Sequence, residues 1–207
     1  MSVPWRWLSS ALAVRRESLA QCLQLGMTRI AETVISAEMS AKLRDVALLV
    51  FDFDGVWTTN QVLVMQDGSE GVLANRSDGL GIGMLRESGL EMMVLSAEVN
   101  PVVTARCNKV KMPCVQGEKD KAAALRRILA DKKIDATRVA YVGNDVNDVP
   151  CMNMVGVPIA VADSWPTVLP HATLVTQRIG GHGAVREVCE WFLAARKGKA
   201  SADGRWT

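Results

Sequence analysis

The sequence predicts an α/β fold built on a doubly wound parallel sheet, and three observations carry that expectation. From residue 46 to residue 196, short apolar runs of strand length alternate with amphipathic stretches, the pattern of strands joined by crossover helices. The run Val46-Ala47-Leu48-Leu49-Val50-Phe51 is apolar throughout, as a strand covered on both faces must be. Polar or acidic residues follow directly on the strands at Asp52, Ser96 and Asn144. In a parallel sheet those carboxyl ends converge on one edge, where ligands bind.

The elements follow in order. Leu8, Leu12, Leu19, Leu23, Ile30, Val34 and Ile35 recur at near-helical spacing, with Gly26 as a break, and predict an N-terminal helical extension over residues 1–44. The main domain spans 45–197 and opens on the strand over 46–51. Residues 61–66 and 72–75 flank Asp67-Gly68 and predict a β-hairpin. A helix over 77–88 follows, with Gly89 placed to cap it. After a strand at 91–95, Asn100-Pro101 supplies a capping side chain and a first-turn proline for the next helix. The pattern continues with a helix at 119–130, a strand at 139–143, a short helix at 146–154, a strand at 157–161 and a last helix at 181–196. A tail covers 198–207.

Composition narrows the function. With 24 Lys and Arg against 22 Asp and Glu the net charge is +2, without the basic excess of a nucleic-acid binder. Five scattered cysteines include no C-x-x-C pair, so neither a disulfide framework nor a zinc site is expected. Two histidines are too few for a His-based metal cluster. No run reaches the roughly 18 apolar residues of a membrane span, and Arg15-Arg16-Glu17 interrupts any signal-like stretch. A cytoplasmic protein is expected.

Two carboxylates, Asp52 and Asp54, straddle the end of the first strand, and Asn144-Asp145 end another. Like charges gathered at one edge repel unless a cation lies among them. Oxygen donors alone suit magnesium.

Phe51-Asp52-Phe53-Asp54-Gly55-Val56, Ser96, Lys121 and Gly143-Asn144-Asp145-Val146-Asn147-Asp148 resemble, in order, the four motifs of the haloacid dehalogenase superfamily. The hairpin that stands in place of a cap domain is similar to its capless branch. Asp78-Gly79-Leu80-Gly81-Ile82 and Gly180-Gly181-His182-Gly183-Ala184-Val185-Arg186-Glu187 resemble the 3-deoxy-octulosonate 8-phosphate phosphatase group. That group also takes in the phosphatase-like domains of acylneuraminate cytidylyltransferases.

The resemblance implies a Mg2+-dependent phosphatase acting on a small sugar-acid phosphate. Asp52 would be the nucleophile and Asp54 the general acid and base, with Ser96 and Lys121 holding the phosphoryl oxygens. The metal would fall to Asp52, Asp54, Asn144 and Asp145, and substrate contacts to Gly55, Asp78, Glu98, Lys109 and Arg186. One departure stands out: relatives usually carry two consecutive aspartates where this chain has Asn144-Asp145, so the metal site has one charge fewer. After Ser96 the chain reads Ala97-Glu98, where octulosonate-type enzymes have Gly-Arg. That points first to a nonulosonate 9-phosphate and second to the eight-carbon ester. The group further implies a homo-tetramer, with the hairpin and Gly180 to Gly183 closing over a neighbour's site. The competing expectation is a non-catalytic or weakly active module associated with a cytidylyltransferase.

Overall fold

The computed structural model describes residues 27–30 and 33–197. Six parallel strands form the central sheet: β3 (Leu48–Phe51), β6 (Glu91–Leu95), β7 (Cys114–Val115), β8 (Val139–Gly143), β9 (Val157–Ala160) and β10 (Leu174–Val175), in the spatial order β10-β9-β8-β3-β6-β7. All neighbouring strands run parallel, as the alternating pattern predicts. The central strand β3 is buried along its whole length. Its side chains alternate between two cores. Leu49 and Phe51 pack with α2 (Arg76–Glu87) and α6 (Ala184–Arg196), whereas Leu48 and Val50 pack with α4 (Lys121–Lys132). This is the doubly wound arrangement, with helices on both faces.

The remaining elements are α3 (Val102–Val110), the one-turn α5 (Val149–Met152) and an antiparallel hairpin of β4 (Thr58–Val64) and β5 (Glu70–Ala74). That hairpin stands directly after the first strand, as expected. The sequence missed β7 and β10, two-residue edge strands too short to show a period.

The N-terminal expectation needs correction. Residues 1–26 lie outside the described residues, but Met27–Ile30 (β1) and Thr33–Ser36 (β2) form an antiparallel hairpin where a helix was expected. Only Ala37–Asp45 (α1) is helical, with Ser36 as its cap through Met39 N–H at 3.1 Å. The physical reason is local: Thr28, Ile30, Thr33, Val34 and Ile35 are β-branched, and such side chains favour the pleated surface. Among the described residues no helix is long and apolar enough to cross a membrane.

Candidate active site

Three strand ends build one pocket. Beyond β3, the Asp52 N–H still bonds to Val142 C=O of β8 at 2.9 Å, so the sheet itself fixes its backbone. The chain then turns tightly, with Trp57 N–H on Phe53 C=O at 2.8 Å. That turn raises Asp54 over the sheet edge. Beyond β6, the Ser96 N–H bonds to Val115 C=O at 2.9 Å, and the Ser96 hydroxyl accepts Glu98 N–H at 3.0 Å. Gly117 and Glu118 tie this loop down through Glu98 C=O at 2.9 Å and Ser96 C=O at 3.1 Å. Beyond β8 lie Asn144 and Asp145. With Lys121 these residues line a cavity of about 260 Å3.

Lys121 opens helix α4, where a cation meets the positive end of the helix dipole. It is nonetheless 2% exposed, which requires close anionic partners. Its ammonium lies 2.6 Å from Asp52 Oδ1 and 2.9 Å from Asp148 Oδ1. Asp148 is fully buried and holds the network together. It accepts Tyr141 O–H at 2.7 Å on Oδ1, and the N–H groups of Asn144 at 2.9 Å and Asp145 at 3.2 Å on Oδ2. The Asp148 carboxylate thereby sets the loop carrying Asn144 and Asp145. Sequence reasoning quoted Asp148 at the end of its fourth motif but gave it no place in the site. The signal was available: an acidic residue one helical turn after Asn144.

The electrostatics follow from burial. Burial pushes the Asp52 carboxyl upward, the neighbouring Asp148 charge adds to this, and Lys121 opposes it. Asp54 is also raised, by burial first and then by Glu98, which suits a group that must hold a proton and release it. Burial alone would lower Lys121, but Asp52 and Asp148 more than offset it, and the ammonium is held above its ordinary value.

Asn144 and Gly55 are coupled sterically. Gly55 has φ +77°, and a Cβ there would come within 2.1 Å of Asn144 Nδ2, a contact no side chain tolerates. A Gly55→Ala variant is therefore expected to lose roughly 1–3 kcal/mol from backbone strain and to displace Asn144. Urea unfolding combined with the magnesium dependence of activity measures both effects.

The structure brings together Asp52, Asp54, Ser96, Glu98, Lys121, Asn144 and Asp145, with Gly55 packed beneath them. It adds Asn60 and Asn147 to the cavity wall. The Glu98 carboxylate folds back onto its own loop, accepting Val99 N–H at 2.6 Å and Asn100 N–H at 2.8 Å. Asp78, Lys109 and Arg186, expected as substrate contacts, do not line this cavity within the chain. Lys109 lies near the foot of α3. The Arg186 guanidinium bonds to Glu190 at 2.7 Å.

Asp78 is buried in α2, and its Oδ1 accepts the Arg186 N–H at 2.9 Å. The carboxylate thus anchors the first turn of α6 from a neighbouring helix. Burial pushes Asp78 up to about 6, against the pull of Arg186, Arg106 and Arg178. Because the folded-state value is the higher one, the protein gains stability on protonation. Stability should therefore fall as pH rises from about 4 to about 6, by roughly 2–3 kcal/mol. An Asp78→Asn variant should lose Asp78's share of that slope and keep the share of Asp52, whose carboxyl burial also raises, as read by urea unfolding across the range.

A buried lysine bridging two carboxylates, a second acid one residue beyond the first, and a hydroxyl at the next strand end define a phosphoryl-transfer site on a Rossmann-like sheet. Comparison with known proteins agrees. Residues 97–187 match the model of the haloacid dehalogenase-like hydrolases. The 3-deoxy-D-manno-octulosonate 8-phosphate phosphatase KdsC of Escherichia coli K12 is 36% identical over 83% of this chain and 92% of its own length. The same phosphatase from Moraxella catarrhalis, solved with magnesium, phosphate and KDO, superposes with a TM-score of 0.75 at 28% identity, covering 78% of this chain and 93% of that one. A Streptomyces avermitilis structure assigned to the HAD hydrolases is 48% identical, with a TM-score of 0.70, and covers 72% and 91% of the two chains. The chain belongs to the haloacid dehalogenase-like hydrolases, in their KdsC-like group, and is a phosphoric monoester hydrolase.

Proposed function

We propose that this protein hydrolyses the phosphate monoester of an eight- or nine-carbon ulosonic acid through an aspartyl-phosphate on Asp52. The observation that carries this reading is the pairing of Asp52 with the buried Lys121 at 2.6 Å, with Asp54 and Ser96 on the same cavity. A carboxylate oxygen of Asp52 attacks phosphorus as the bond to the sugar oxygen breaks, and Asp54 gives that oxygen its proton. Asp54 then takes a proton from water, whose oxygen attacks phosphorus and frees the Asp52 carboxylate. Lys121 and the Ser96 hydroxyl hold the non-bridging oxygens, where positioning and charge supply most of the rate.

Magnesium fits the donors present. Among the described residues no three His, Cys, Asp or Glu side chains form a ready-made metal cluster. Asn144 Oδ1, however, is buried and without a hydrogen-bond partner, on the same cavity as Asp52, Asp54 and Asp145. An orphaned buried acceptor costs about 1–3 kcal/mol, and a hard cation satisfies it. Asp52, Asp54, Asn144 and Asp145 would hold the ion, which supplies charge neutralisation at the transferring phosphoryl group. Phosphate release should therefore stop with EDTA and return with magnesium. An Asn144→Asp variant, restoring a carboxylate, should lower the half-saturating magnesium concentration by about tenfold, as a magnesium titration of activity would measure.

The Escherichia coli and Moraxella catarrhalis relatives are phosphatases of the eight-carbon ester, while Oε1 of the Glu98 carboxylate is engaged by its own loop. Those two relatives favour the octulosonate over the nonulosonate, reversing the order the sequence alone suggests. The non-catalytic module finds no support, since the nucleophile, acid, lysine and hydroxyl share one cavity. Val62, Leu63, Val64 and Met65 are all more than half exposed on the hairpin, a patch that suits the homo-tetramer the family implies. Phosphate release from eight- and nine-carbon ulosonate phosphates tests the reading. Turnover of the eight-carbon ester supports it, and no turnover of either by folded protein with magnesium refutes it.

A further inference from the structure

Two cysteines that the mechanism leaves unused stand against one another behind the Ser96 loop. Cys107 lies in the last turn of α3 and is 2% exposed, while Cys114 opens β7 and is half-buried. The chain turns back between them through a left-handed Lys111, fastened by Met112 N–H on Cys107 C=O at 2.9 Å. The return lays both side chains in one apolar cluster, and their thiols share a hydrogen bond. Cys114 also lines a cavity of about 620 Å3 with Met92, Met112 and Pro113, which gives a small reagent room to approach it. Cys151 and Cys189 are fully buried, and burial raises both of their thiols.

The shared hydrogen bond sets the two thiols apart chemically. It holds the Cys114 thiol below its ordinary value, whereas Cys107 is pushed up, by that bond first and by burial second. The half-exposed sulfur is thus the better nucleophile and the buried one stands directly behind it, the arrangement of an attacking and a resolving cysteine. Both elements lead straight to the Ser96 loop. α3 begins as that loop ends, just after Asn100 and Pro101. The residues after Cys114 form its floor: Val115 C=O accepts Ser96 N–H at 2.9 Å, and the Gln116 amide donates to Val99 C=O at 3.1 Å. A covalent bond between residues 107 and 114 would fasten α3 to β7 and shift the floor that places the Ser96 hydroxyl.

We propose that Cys107 and Cys114 form a reversible disulfide, by exchange with a small disulfide such as oxidised glutathione, and that this bond displaces the Ser96 hydroxyl and slows phosphate release. The Cys114 thiolate attacks one glutathione sulfur and releases the other half as a thiolate. Cys107, as its thiolate, then attacks the Cys114 sulfur and expels the second half. Two protein thiols are oxidised, one glutathione disulfide is reduced, and the two thiol protons pass to the two glutathiones released. The effect on rate rests on the role proposed above for Ser96, whereas the bond itself does not.

The full chain, equilibrated in glutathione buffers of rising oxidised fraction, quenched by alkylation and mapped with trypsin, tests both parts separately. At the oxidised end, peptides 107–109 and 112–119 should be found joined. There kcat/KM for the eight-carbon ester should have fallen about tenfold or more, and dithiothreitol should reverse both changes. Cys114→Ser should keep the activity of the reduced protein, form no link and ignore the oxidant. Cys107→Ser should stop with glutathione retained on peptide 112–119. Should that buried substitution melt early, Cys114→Ser, altered at the half-exposed sulfur, carries the test. Peptides that never join in the folded protein, a link that leaves kcat/KM unchanged, or an equal loss of activity in oxidised Cys114→Ser would overturn the proposal.

Discussion

An Asp52→Asn variant is expected to lose phosphate release by about four orders of magnitude or more, while remaining folded. Asparagine keeps the shape of the side chain, and the backbone N–H of residue 52 keeps its bond to Val142 C=O. What disappears is the nucleophilic oxygen and the charge facing Lys121 at 2.6 Å. Because Asp52 and Lys121 act as a unit, adding Lys121→Met to Asp52→Asn should cost little further activity. Two separate and fully additive losses would mean that the pair does not work as one device.

Removing the lysine alone should do more to the fold than removing the nucleophile. Lys121→Met leaves Asp52 and Asp148 buried near one another with no cation between them. Breaking a buried ionic pair on one side costs about 3–5 kcal/mol, a large share of a domain's total stability. Urea unfolding should report that loss as a lower midpoint with an unchanged slope. Activity should fall as well, since an unpaired Asp52 takes up a proton more readily and a protonated carboxyl is a poor nucleophile. A stability loss below about 1 kcal/mol would place Lys121 in the range of an ordinary surface ion pair, contrary to its burial.

Much of the fold was legible in the sequence because burial on both faces leaves a mark. The run ending at Phe51 could only be a covered strand, and the strands at 91–95 and 139–143 were bounded correctly by their turns. The hairpin announced itself through Asp67-Gly68. Residues 27–36 misled because Ile30, Val34 and Ile35 also fit a helical stripe, and apolar spacing over so short a stretch does not separate the two periods. Their β-branching was the better guide.

The site divides in a similar way. Asp52, Asp54, Ser96, Lys121, Asn144 and Asp145 were placed by strand ends and motif order, and the structure gathers them. Asp148 was passed over because its work is internal: it touches Lys121, Tyr141 and two backbone N–H groups rather than the open cavity. Asp78 and Arg186 were drawn to the pocket by a motif string, yet their contact is with each other across two helices. Motif strings identify a family, whereas only packing separates residues that meet the substrate from residues that hold the scaffold.

The central claim is that phosphate passes through Asp52. Rapid acid quench of the magnesium-loaded protein with a 32P-labelled ulosonate phosphate, followed by peptide mapping, tests it directly. The account predicts transient label on the peptide that contains Asp52, formed and lost at rates consistent with turnover. Full turnover without protein-bound label, together with undiminished activity in Asp52→Asn, would contradict it.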